Sequence, residues 1–199
     1  MTYAVLTCRG LIGLVFAVSA IAKIRGPRAY REFASWLAAL PVPLAKARAL
    51  VPVVAPVFVG AEAAIVVLVA VPDGAVAGLT LAAGCLAVMV TGTVVITNRG
   101  SGASCWCFGP SRSPLGVRHL VRDSILFLIA VAGAVIGAVI GTDAGGRNTT
   151  SPAGIVLSLV AALTGATFFV FLDDLMVIFD SDPAARTGKQ AAREEAGLP

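Results

Sequence analysis

Residues 74–98 read GAVAGLTLAAGCLAVMVTGTVVITN, from Gly74 to Asn98: 25 residues without a Lys, Arg, Asp or Glu. At about 1.5 Å rise per residue, such a run crosses a hydrocarbon core roughly 30 Å thick. It mixes Gly, Ala, Val and Leu without strict alternation, which favours a helix over a barrel strand. Four further runs share the pattern. Ser124–Thr142 and Asn148–Leu172 are uncharged, Leu50–Pro72 is broken only by Glu62, and Thr2–Ala22 only by Arg9. Five spans are expected, at about 2–23, 50–71, 75–98, 120–142 and 152–173.

The composition agrees. Of 199 residues, 58% are hydrophobic and only 13% charged, with a mean hydropathy of +0.92. A soluble domain carries about 25% charged residues, so this chain lacks the polar surface to coat a globule. Its hydrophobicity excludes intrinsic disorder. A net charge of +4, spread over loops, excludes most nucleic-acid readers. The expected fold class is all-α: a polytopic transmembrane bundle of four core helices plus a fifth, C-terminal span. Residues 1–179 form that domain and 180–199 a polar tail. The first span lacks a basic leader segment and is expected to remain as a helix.

Loop charge sets the expected orientation. The segments 23–49, 99–122 and 180–199 hold 13 of the 15 basic residues, and five spans place all three on one side. The positive-inside rule therefore predicts a multi-pass cell-membrane protein with its N-terminus outside and its C-terminus cytoplasmic. Within the first of these segments, Phe33, Trp36, Leu37 and Leu40 share one helical stripe, and Pro41 and Pro43 end it. A helix over about 28–40 can lie in the headgroups, arginines toward lipid phosphates, or pack against the bundle mouth.

The sharpest chemical feature is Cys105-Trp106-Cys107-Phe108-Gly109-Pro110, just beyond the third span. A Cys-X-Cys pair closes a small, strained disulfide, and strain makes the bond easy to exchange. Arg99, Arg112 and Arg118 favour the thiolate, and Trp106 and Phe108 offer an apolar seat at the interface. Two other readings stand beside it: half a zinc site with His119, or small apolar residues at a helix end. Cys8 and Cys85 lie inside spans and read as packing residues, with a Cys8–Cys85 relay pair as a more distant idea.

Charges at bilayer depth cost at least about 2.5–3.5 kcal/mol each and need partners. Depth counted from the span ends makes Arg9–Glu62 the expected ion pair. Lys23, at the inner end of span one, is expected to reach toward phosphates. Arg122 and Asp123 open span four near the cysteine motif, and Asp173 and Asp174 close the last span at the interface. These charges fix helix register or handle protons or a substrate. No haem motif, P-loop, dinucleotide fingerprint or catalytic triad is present, so no cofactor or metal is expected. A quinone would require an apolar cleft beside the sulfurs.

Arg9 early in span one, Lys23 closing it, Glu62 in span two, Cys105-Trp106-Cys107-Phe108-Gly109 after span three and Arg122 opening span four form an ordered set. That set, over roughly residues 4–140, resembles the methylamine-utilisation MauE family, which belongs with the DoxX-like membrane proteins. The resemblance implies a helical membrane bundle tied to thiol–disulfide chemistry, with Cys105 and Cys107 as the redox pair. It also implies a thioredoxin-like partner and a role in maturing a disulfide-rich extracytoplasmic protein. Such a role suits cysteines on the outer face, whereas loop charge puts them on the inner one. The rival expectation is a non-enzymatic scaffold or small-molecule carrier, with Arg9, Lys23 and Glu62 lining a polar pocket.

Overall fold

Charge-free runs become helices because, in lipid, only a helix satisfies its own backbone polar groups within one segment. The computed structural model describes residues 2–39, 47–98, 117–140 and 151–179. The elements are α1 (Thr2–Ile24), α2 (Pro27–Ala39), α3 (Ala47–Ala70), α4 (Ala75–Asn98), α5 (Val117–Ile140) and α6 (Pro152–Phe179). Five of the six are long and apolar enough to cross a membrane; the 13-residue α2 is the exception. Among the described residues there is no strand. The polar tail at 180–199 lies outside the described residues.

The α3–α4 connection is a tight turn over Val71–Gly74, closed by a hydrogen bond from the Gly74 N–H to the Val71 carbonyl. Adjacent spans therefore alternate in direction. Ile12, Ile65, Leu79 and Leu126 bring α1, α3, α4 and α5 into one buried core, to which α6 adds Ala162 and Ala166. Lipid tails are as apolar as these side chains, so close packing rather than water exclusion holds the helices. Gly133 illustrates it: a Cβ there would stand 2.9 Å from Cys8 Cβ, so only glycine lets α5 approach α1 this closely.

The fifth span, α6, packs against α1 and runs parallel to it. Gly154, Ser158, Ala162 and Ala166 recur every four residues, so these small side chains share one face. Tyr3 lies over Gly154, and its hydroxyl accepts from the Ser151 N–H at 3.0 Å. Most other described α6 residues as far as Phe171 are exposed and apolar, as a lipid-facing surface should be. Hydroxyls on such surfaces are satisfied locally. Thr80 and Thr91 are exposed on α4 and donate to the carbonyls four residues earlier, each at 2.8 Å. Pro52 and Pro56 sit inside α3 on its exposed side, near the start of the span.

α2 is docked on the bundle. Phe33 is buried against Ala55 and tilts onto Phe58, with ring centroids 6.1 Å apart. The apolar stripe of this helix thus packs at the bundle mouth. Trp36 lies on α2, with its side chain outside the described residues.

Candidate functional site

A lysine at the end of a spanning helix can reach either way. Side chains on a helix lean toward its N-terminus, so Lys23, near the end of α1, leans back into the bundle. It is 0% exposed. Its Nζ donates to Ser19 Oγ at 2.7 Å and to Glu62 Oε1 and Oε2 at 2.8 and 3.1 Å. Ser19 in turn donates to Glu62 Oε1 at 2.8 Å. Lys23 Nζ also stands 5.4 and 5.5 Å from the ring centroids of Phe33 and Phe58, within cation–π range. The expected reach of Lys23 toward phosphates is therefore wrong.

The expected Arg9–Glu62 pair is wrong as well. The register of α1 against α3 sets Ser19 beside Glu62, and Arg9 beside Val69. Val69 is seven residues beyond Glu62, about 10 Å along the axis. Arg9 instead donates through Nε and Nη2 to the Val69 carbonyl, at 3.0 and 2.8 Å. Val69 and Ala70 are the last residues of α3, whose terminal carbonyls have no partner within the helix. Arg9 thus caps α3 with a charge that suits the negative end of its dipole.

At the same end of the bundle as Lys23, α5 begins at Val117 and buries His119, Arg122 and Asp123 in its first two turns. Arg122 Nε donates to Asp123 Oδ1 at 3.1 Å. A crevice of about 20 Å³ separates this pair from the first. Ser19, Glu62 and Asp123 line it together with Phe16, Leu86 and Leu126. That volume is the scale of one water molecule, so this crevice has no room for a metabolite.

Arg9, Lys23, Glu62 and Arg122 are thus all placed, but they do not form one pocket. Ser19, Phe33 and Phe58 belong to the cluster and were not singled out for it, whereas Asp123 was expected only as a neighbour of Arg122. The available signal was helical spacing, since Ser19 lies one turn before Lys23. Cys105, Trp106, Cys107 and Phe108 lie outside the described residues. Their connection leaves α4 at Asn98 and enters α5 at Val117, so both its anchors are at the Lys23 end. Cys8 and Cys85 are free thiols, which sets aside a disulfide between them. Among the described residues no three His, Cys, Asp or Glu side chains converge on a metal position.

The family described as methylamine utilisation protein MauE matches residues 1–136. The chain belongs to this family. The match runs through α1–α4, the cysteine motif and most of α5, and it ends before α6. This MauE-family chain is accordingly a multi-pass membrane protein. No curated protein matches it, and no solved structure does.

Proposed function

We propose that this MauE-family protein acts in methylamine utilisation as the membrane component of a thiol–disulfide exchange step. Cys105 and Cys107 are the redox pair, and a thioredoxin-like protein is the partner, in the service of an extracytoplasmic protein's maturation. The observation that carries the reading is the Cys105-Trp106-Cys107 motif in the connection between α4 and α5, inside the stretch matched by the family. In the exchange, a partner thiolate attacks one sulfur of a Cys105–Cys107 disulfide and the other sulfur leaves as a thiolate. The second partner thiol then resolves the mixed disulfide. The partner ends oxidised and the pair reduced, and the reverse sequence runs the electrons the other way.

The positive-inside count supports a cytoplasmic C-terminus and a cytoplasmic cysteine pair. Maturation of an exported protein supports the opposite face. Alkylation of intact cells with a membrane-impermeant maleimide decides between them. The reading itself is tested by trapping. Cys105→Ser and Cys107→Ser should each change mixed-disulfide capture of a thioredoxin-like partner, one accumulating it and the other losing it. If neither substitution alters capture or the partner's redox state, the exchange role is wrong.

The carrier reading receives less support. Glu62 is already engaged by Lys23 and Ser19, and the adjoining crevice has room for one water. It would regain ground if Glu62→Gln abolished methylamine-dependent growth, with folding intact, while both cysteine substitutions left growth unchanged.

A further inference from the structure

The helix α2 has a second face. Taking 100° per residue, Arg28, Arg31 and Ser35 lie roughly 140–160° around the helix from Phe33. All three are exposed, as is Arg25 just before the helix. Arg31 spends only Nε on the Pro27 carbonyl, and a guanidinium has further N–H groups. Glu32 is the single acidic residue between 25 and 35, so this stretch carries a net charge of +2.

The depth of α2 is set by its neighbours. The first span closes at Ile24 and the second opens at Val51. Phe33 packs against Ala55 and Phe58, four and seven residues past Val51, about 6 and 10 Å inside the apolar span. The helix therefore lies level with the start of the apolar span, not beyond it. Its exposed arginines stand where phosphate groups are dense, and a planar guanidinium binds phosphate in a fork.

We propose that Arg25, Arg28 and Arg31 form a binding site for anionic phospholipid headgroups, and that this contact holds α2 down with Phe33 closed over Lys23. The two faces of α2 act together. The outer face takes the lipid charge, and the inner face keeps water from the Lys23–Glu62 pair. The composition of the leaflet is thereby linked to the buried charges, independently of what the cysteines do.

The test uses the full chain in nanodiscs of phosphatidylcholine alone or with phosphatidylglycerol added. Spin-labelled lipids report headgroup selectivity, and amide exchange reports the closure of residues 27–39. Phosphatidylglycerol should be preferred over phosphatidylcholine and should slow exchange in α2. Each Arg→Gln substitution should lower the preference about fivefold, and the triple variant about a hundredfold. Phe33→Ala should speed α2 exchange in both lipids. Equal affinity for the two lipids in the wild-type protein overturns the site. A triple variant as selective as wild type does the same, and unchanged α2 exchange in Phe33→Ala overturns the closure. Loss of cysteine trapping alone leaves every one of these readouts in place, so this inference and the exchange reading fail separately.

Discussion

Lys23 Nζ and Glu62 Oε1 meet at 2.8 Å, joining α1 to α3 through two side chains that are each 1% exposed. An ion pair this dry is worth less than its geometry suggests, because both charges have lost their hydration. Its deletion is a different matter, since removing one partner strands the other. Lys23→Met should therefore destabilise the protein by about 3–5 kcal/mol. The double variant Lys23→Met/Glu62→Gln should be markedly more stable than Lys23→Met alone. Denaturant or thermal unfolding in a fixed detergent measures both; additive losses would mean the two residues act independently.

Arg9 makes a different kind of contact. Hydrogen bonds to a charged group contribute about 1.5–3 kcal/mol, so Arg9→Ala should cost that much and free the Val69 carbonyl. The effect should be local, with faster amide exchange at the α3–α4 turn over Val71–Gly74. If exchange rises instead around Glu62, the cap assignment is wrong.

Glycines on the two kinds of helix face should respond in opposite ways. A Cβ at Gly154 would enter the Tyr3 ring, so Gly154→Ala should cost about 1–3 kcal/mol and loosen α6 from α1. A Cβ at Gly84 would meet nothing within 4 Å. Gly84→Ala should be neutral or stabilising by up to about 1 kcal/mol, the helix-propensity difference. Unfolding midpoints in the same detergent compare the two.

Cys8 packs on Gly133, and Cys85 packs against the core cluster. Neither should react with an impermeant maleimide in folded protein, so labelling should fall to background in Cys105→Ser/Cys107→Ser. Mass spectrometry of labelled peptides gives the answer, and modification of Cys8 or Cys85 before unfolding would contradict their packing.

The spans were legible in the sequence because bilayer thickness imposes a length that uncharged runs record directly. The run beginning at Gly74 became α4 almost residue for residue. Helix α5 was harder. Its uncharged run starts at Ser124, but the helix begins seven residues earlier and carries His119, Arg122 and Asp123 inward. The choice of partner for Glu62 was not legible. Counting from span ends gives approximate depth, whereas pairing depends on rotation and register between helices and on the lean of each side chain. Those facts put Ser19 and Lys23 on Glu62 and left Arg9 to the end of α3. The docking of α2 was half legible, since its apolar stripe was plain and its destination was not.

The parallel run of α6 beside α1 also has a topological consequence. A bundle that stopped at α5 would release its chain on the same side as Tyr3. The added crossing ends α6 on the opposite side, where Lys23, α2 and both ends of the cysteine-bearing connection already are. Arg186, Lys189 and Arg193 follow α6 in the sequence. One helix seated on a ladder of small residues thus decides on which face of the bundle the chain completes its last crossing.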